Sequence, residues 1–366
     1  MKIGGETMGE LGVKEERTKI SKREQPTFTL QWHLTTACPN YCKHCYMERN
    51  PRILPLEDCK KVIDDFKSLL ERWNCNGRIH FTGGDPLLYP YFFELLSYAR
   101  SQISGMKIGI LGNPELLTKG VVEKLIEQGV YSYQMSLDGL EKTHDYFRYP
   151  GSFKNTLEKL RLLKKYGMRT VIMNTVSKVN LEEIPSLVDL VAGEIGVELF
   201  GFHRFVPVGN GKEIKEAASF SSWEYREFLF KLDEKYHEYK EGNTFFGGGE
   251  PLWILFEWEN GTLSELPKTG ENNLIWGGCS IGCSDLCILE DGTVLACRRL
   301  PIPIGKVPDQ KIRDIFILSG VLNKMRAVEK LEKCKDCELL PYCRGCRAMA
   351  YAIKGDYFAS DPHCWK

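Results

Sequence analysis

The sequence predicts an α/β protein: a partial, TIM-like barrel of six β/α units followed by a cysteine-rich C-terminal domain. Three observations predict it. Between residues 28 and 202, β-rich runs alternate six times with runs of helical, 3.6-residue periodicity. Three cysteines in a CxxxCxxC loop, Cys38, Cys42 and Cys45, follow the first strand. Nine of the 14 cysteines crowd between positions 279 and 364.

A chain of 366 residues exceeds what one core usually covers, so about two domains are expected. Residues 1–27 are polar and read as a loosely attached arm. The barrel spans 28–212, a bridging region 213–278, and the cysteine-rich domain 279–366. The first strand, 28–34, alternates as a half-buried strand does. A helix over 56–73 follows, with Val62, Ile63, Phe66, Leu69 and Leu70 on one face. Strands over 78–81, 107–111, 131–137 and 170–174 are each followed by a helix, over 91–99, 121–128, 153–166 and 181–191. Residues 198–202 form a sixth strand. Such alternation implies a parallel sheet with right-handed crossovers. Six units are too few to close an eight-unit barrel, so the barrel is open, with its site at the C-terminal strand ends. In the bridge, 223–239 carries a helical stripe (Phe228, Leu229, Leu232, Tyr236) that reads as core, and 247–251 is a glycine-rich loop whose Glu250 has no assigned place.

Lys+Arg and Asp+Glu are both 49, so the net charge of zero argues against bulk attraction to nucleic acid or anionic membrane. No apolar run resembles a secretion signal or a membrane span, so a cytoplasmic location is expected. Fourteen cysteines without an export signal point to metal rather than disulfides. Cys59 and Cys75 stand apart and read as buried thiols.

Three thiolates on one loop can each hold one iron of a [4Fe–4S] cube and leave the fourth iron open. Structural zinc wants four ligands, and the extra candidate here is His44, inside the same turn. A zinc knuckle or three unrelated thiols is the plain alternative. At the other strand ends stand Thr82-Gly83-Gly84-Asp85-Pro86, then Ser136-Leu137-Asp138-Gly139 with His144, Arg148 and Gly151-Ser152-Phe153, then Asn174-Thr175, then Arg204 through Gly209. Arg148 has the fork that binds carboxylates bidentately, and Asp138 reads as a turn residue. In the tail, Asp291-Gly292 signals a hairpin that brings Cys279 and Cys283 back toward Cys297. Two CxxC pairs, Cys334/Cys337 and Cys343/Cys346, suit zinc, but zinc leaves the remaining cysteines unexplained.

The CxxxCxxC loop, with His44 before its last cysteine, resembles the cluster loop of the radical SAM superfamily. The resemblance implies that S-adenosylmethionine (SAM) chelates the open iron and is cleaved to a 5′-deoxyadenosyl radical. Gly83, Gly84 and Asp85 resemble the "GGEP" segment that receives the methionine ammonium. By the same resemblance Ser136 and Arg148 hold the SAM carboxylate, Asn174 and Thr175 the ribose, and the backbone around Val206 the adenine.

The tail resembles the SPASM domain: Cys279, Gly292 with Cys297, the run Cys334, Cys337, Cys343 and Cys346, and Cys364 fill its seven positions, with one residue fewer between Cys343 and Cys346. That resemblance implies two auxiliary [4Fe–4S] clusters. Cys279, Cys283, Cys297 and Cys346 would hold the first, with Cys283 chosen over Cys287. Cys334, Cys337, Cys343 and Cys364 would hold the second. It implies a maturase that modifies a peptide or protein side chain, with a peptide substrate recognised either by a separate recognition protein or by direct leader binding, and with an electron donor such as flavodoxin or ferredoxin as a partner. A small-molecule enzyme of the haem-pathway decarboxylase kind is the rival. Sulfatase maturation is disfavoured, because Arg298 stands where those relatives carry an Asp base after the GxxxxC cysteine. The resemblance names no general base, so the catalytic residue is unassigned.

Overall fold

The computed structural model describes residues 25–247, 249–263 and 277–366; most of the expected arm, Gly248 and part of the bridge lie outside the described residues. β1 (Thr27–Thr35) has the predicted alternation. Phe28, Leu30, Trp32 and Leu34 are buried toward the helix layer, and Gln31 and His33 take the opposite, inner face. α1 (Leu56–Trp73) covers that apolar row with Val62, Ile63, Phe66, Leu69 and Leu70. It stops where Asn74 turns left-handed and its N–H bonds the Glu71 and Leu70 carbonyls. Each such buried side chain stabilises the fold by about 1.5–3 kcal/mol.

The unit then repeats through β2 (Asn76–Gly83), α2 (Phe92–Gln102), β3 (Lys107–Leu111), α3 (Lys119–Glu127), β4 (Ser132–Ser136), α4 (Glu141–Phe147), α5 (Ser152–Lys165), β5 (Thr170–Val176), α6 (Ile184–Val188) and β6 (Leu199–Arg204). The six strands pair in parallel in chain order. Two crossovers differ from expectation. A second helix, α4, precedes α5, because the stretch Gly139 to Arg148 closes a turn over the strand ends. The helix expected over 181–191 is a 3₁₀ turn (Leu181–Glu183), the short α6 around Pro185, and a π segment (Asp189–Ile195).

The six-stranded sheet is extended on both edges, giving ten strands. β7 (Phe245–Phe246) pairs in parallel with β6. On the other side β8 (Asp285–Ile288) pairs in parallel with β1, and β9 (Thr293–Cys297) and β10 (Leu300–Lys306) continue antiparallel. The predicted hairpin is therefore the next part of the barrel sheet, and it covers the edge that β1 would leave open. Gly292 makes its turn with φ +87, and a Cβ there would stand 2.1 Å from the Val307 carbonyl oxygen. In the bridge, α7 (Lys215–Ala218) leads to α8 (Ser222–Glu238), which starts at a Ser221/Glu224 capping box. It buries Tyr225, Phe228, Leu229 and Leu232. Tyr236 stacks on Phe246 with centroids 4.2 Å apart. Among the described residues no helix is long and apolar enough to cross a membrane.

Candidate active site

A cleft opens at the C-terminal ends of the strands. Cys38, Cys42, Cys45, Gly83, Gly84, Ser136, Arg148, Asn174, Thr175 and Val206 all line it. Strands carry these residues to one place because a parallel sheet sends every βα loop out of the same end.

The cysteine loop leaves β1 and is held by its neighbours. The Cys45 N–H donates to the Cys42 carbonyl at 3.1 Å, and the Lys43 N–H to the Phe147 carbonyl at 2.9 Å. Cys38 Sγ accepts from Asn40 N at 3.5 Å and from Asn113 Nδ2 at 3.6 Å. Arg148 Nη1 points at Cys42 Sγ, 3.7 Å away. Burial pushes the Cys38 thiol up to about 12 and raises Cys42, where Arg148 opposes the shift.

Gly83 and Gly84 are glycines for a reason other than the ligand approach expected of them. A Cβ on either would stand 2.2 Å from the carbonyl oxygen of Thr35 or Ala37, so they let β2 close onto the cysteine loop. The Gly84 N–H and Asp85 N–H donate to those same two carbonyls at 2.8 Å. Asp85 departs from expectation. Its carboxylate is fully buried outside the cleft and caps the Leu87 N–H at 3.0 Å. Burial raises it to about 6. Its shorter side chain turns back into its own turn and does not reach the ligand side.

Asn113, after β3, is the residue that motif reading missed. It donates from Nδ2 to the Gly84 carbonyl at 2.8 Å and reaches Cys38 Sγ and Asp85. Its signal was only a polar side chain in a Gly-Asn-Pro break at a strand end.

Asp138 is a buried centre, not a plain turn residue. Arg148 donates Nε and Nη2 to its Oδ2 at 2.9 and 2.7 Å, and the Thr175 N–H donates to its Oδ1 at 2.9 Å. His44 Nε2 lies 3.3 Å from Asp138, and the His44 ring packs edge-on to Phe147 at 5.0 Å. Burial alone would raise Asp138, but Arg148 and His44 outweigh it and hold the carboxyl well below its usual range. The nearby "HD" pair is structural: His144 accepts from the Asp138 N–H at 3.0 Å, and Asp145 accepts from the Gly151 and Phe153 N–H groups at 2.6 and 2.8 Å.

Asn174 donates Nδ2 to the Leu137 carbonyl at 2.7 Å, and its buried Oδ1 has no partner. An unpaired buried acceptor facing a cleft fits a ligand hydroxyl. Phe205 and Val206 form the apolar wall next to it, where a flat base can lie.

A model of the radical SAM superfamily matches residues 32–191, and one of an iron–sulfur cluster-binding domain, SPASM, matches 279–347. The chain is 32% identical over 346 residues to the AdoMet-dependent heme synthase of Methanosarcina barkeri, covering 92% of this chain and 95% of that one. The chain belongs to the radical SAM superfamily and carries a SPASM domain. The radical SAM enzyme is also 26% identical to mycofactocin maturase MftC of Mycolicibacterium smegmatis, over 92% of this chain and 82% of that one. Its fold matches SuiB of Streptococcus suis bound to S-adenosylmethionine, with TM-score 0.73 at 20% identity, covering 93% of this chain and 78% of that one. Its cofactors are SAM and [4Fe–4S] clusters.

The remaining elements of this radical SAM enzyme are α9 (Trp253–Glu259), α10 (Ile312–Leu318), α11 (Gly320–Met325) and α12 (Arg347–Lys354). The tail cysteines gather in two groups. Burial pushes Cys334 up to about 11, and Cys364 and Cys337 add to it; Cys364 and Cys334 act likewise on Cys343. Burial pushes Cys346 up to about 12, opposed by Arg299 and Arg204, with Cys279 adding; Cys297 adds to Cys279. Cys283 and Cys287 differ in their surroundings. Cys283 is exposed and lines a small recess with Cys279, whereas Cys287 is buried in β8 beside Cys297. Among the described residues no three His, Cys, Asp or Glu side chains form a group that could hold a single metal ion.

Arg204, Arg298 and Arg299 also line the cleft. Glu250, unplaced by sequence, is buried against Arg204 at 2.9 Å. Arg298 and Arg299 come from the turn between β9 and β10, so the SPASM hairpin supplies one wall of the cleft.

Proposed function

We propose that this radical SAM enzyme binds a propionate-bearing tetrapyrrole and removes carboxyl groups from it as carbon dioxide. One observation carries the reading. Five arginines line the cleft (Arg49, Arg148, Arg204, Arg298 and Arg299), and no Asp or Glu does among the described residues. Arg148 and Arg204 are answered from behind the wall by Asp138 and by Asp361 and Glu250, and the arginines that remain give an excess of positive charge that favours an anionic substrate; carboxylates are what arginine forks recognise best. The end-to-end similarity to a heme synthase supports the same substrate class.

In this reading Cys38, Cys42 and Cys45 hold the SAM-binding cluster. Cys279, Cys283, Cys297 and Cys346 serve the first auxiliary cluster, and Cys334, Cys337, Cys343 and Cys364 the second. Ser136 and the Nη1 side of Arg148 face the SAM carboxylate, Gly83 and Gly84 its ammonium, Asn174 and Thr175 its ribose, and Val206 its adenine. SAM, when bound and reduced by an electron from a flavodoxin or ferredoxin, supplies the radical that abstracts hydrogen. Loss of one hydrogen atom from the propionate carbon attached to the ring leaves a carbon radical. That radical, losing carbon dioxide and one electron, becomes a vinyl group. A cluster held by the cysteines beside Arg299 would supply an acceptor for the electron next to the same cleft. Arg298, next to Cys297, leaves no carboxylate base there, in keeping with a reaction that needs none at that point.

The test is an anaerobic incubation of reconstituted enzyme with SAM, a reductant and iron-coproporphyrin III, followed by mass spectrometry. Stepwise loss of carbon dioxide with two hydrogens, matched by deoxyadenosine, is the expected result. An unchanged tetrapyrrole, with deoxyadenosine formation stimulated instead by a peptide encoded beside the gene, would overturn the proposal in favour of peptide maturation. The similarity to mycofactocin maturase makes that the second reading.

A further inference from the structure

We propose that Arg298 is the anchor for a carboxylate of the substrate, presented by the turn that follows Cys297. The proposal rests on the reading of the cleft as a site for a carboxylate-bearing substrate.

The charges of the cleft arginines are not equally free. Arg148 is answered by Asp138, and Arg204 by Asp361 and Glu250. Arg49 lies outside at the rim, bonded to the Asn40 carbonyl and stacked 3.8 Å over Tyr41. Arg299 donates to the Arg204 carbonyl at 3.1 Å and is turned toward Cys346 and Cys297. Arg298 has no carboxylate in ion-pair contact among the described residues. Its Nη1 is held by Gln31 Oε1 at 2.9 Å, and its buried Nε has no partner.

The neighbours of Arg298 do not supply the missing anion. Asp285 on β8 is near enough to feel Arg298, but the two are not in ion-pair contact, and Asp285 Oδ1 is itself without a partner. His33 and His203 are kept neutral by burial first and by the arginines second. A half-buried guanidinium with Nη1 bonded and a buried Nε unpartnered is costly unless an anion completes it.

Its position also suits the reaction. The Arg298 guanidinium lies 5.6 Å over the ring of Tyr46, and Tyr46 directly follows Cys45. A carboxylate on Arg298 therefore sits between the cysteine loop on one side and the Cys297 group on the other. The middle of β1 fixes this geometry through Gln31, and the β9–β10 turn fixes it through Cys297.

The test measures binding of iron-coproporphyrin III to the reconstituted enzyme by its Soret band, with iron per monomer matched between proteins. Arg298→Gln is expected to weaken binding about ten- to hundredfold, the loss of a charge-assisted pair of hydrogen bonds. Arg298→Lys, which keeps the charge without the fork, is expected to recover part of it. The tetramethyl ester of the same probe should bind wild type and Arg298→Gln alike. Binding of the free acid to Arg298→Gln within twofold of wild type would overturn the anchor while leaving the tetrapyrrole reading intact. If Arg298→Gln loses its iron, Arg298→Lys decides: affinity equal to wild type overturns the fork. No saturable binding to wild type would overturn the tetrapyrrole reading, and the anchor with it.

Discussion

Arg204 Nη1 and Nη2 donate to the two carboxylate oxygens of Asp361 at 2.8 and 2.7 Å, joining the end of β6 to the last turn of the chain. Asp361 also accepts from the Cys346 N–H at 2.6 Å and the His363 N–H at 2.9 Å. One buried ion pair thus fixes the tail, the barrel mouth and the backbone of Cys346 together. Replacing Asp361 leaves the buried Arg204 with Glu250 alone to answer it and strips the Cys346 and His363 N–H groups of their acceptor. Asp361→Ala is expected to lower stability by about 3–5 kcal/mol and to release iron from the tail in preference to the N-terminal loop. Denaturant unfolding and iron analysis check both.

The buried His144 makes stability depend on pH. Its Nδ1 accepts from the Asp138 N–H, so its Nε2–H donates to Ser152 and the ring is neutral. Burial, then Arg148, lowers it from 6.5 to about 3. The folded pKa lies below the unfolded one, so the stabilisation is present above pH 6.5 and is lost as pH falls toward 3. The contribution changes by up to about 1.4 kcal/mol per pH unit. Urea unfolding between pH 7 and 5 should show a shallower loss for His144→Gln than for wild type.

Asn174 joins a structural bond to a free acceptor. Asn174→Ala should leave the Leu137 carbonyl unpaired, costing about 1–3 kcal/mol of stability. It should also weaken SAM binding about tenfold. Equilibrium dialysis with labelled SAM measures the second effect separately.

Removing the loop thiols tests the cluster assignment. Reconstituted wild type should carry about twelve irons per monomer, and the Cys38/Cys42/Cys45 triple Ala variant about eight. Deoxyadenosine formation should vanish in the variant. Iron that stays constant would move the SAM-binding cluster elsewhere.

Much of the barrel was legible in the sequence because its cause is local. Leu30, Trp32 and the face of α1 follow periods of two and 3.6, and Asp291-Gly292 is turn chemistry. The grouping of Cys38, Cys42 and Cys45 needed only the loop's own length. Tertiary contact decided the rest. Asp85 looked like a ligand until its short side chain found the Leu87 N–H, and Asp138 looked like a turn until Arg148, His44 and Thr175 closed on it. Asn113 offered only a polar residue at a strand end, since its partners stand on two other segments, the cysteine loop and the turn after β2. The hairpin's place beside β1, and with it the aim of Arg298 into the cleft, depends on strand pairing across more than 250 positions, which no local periodicity encodes.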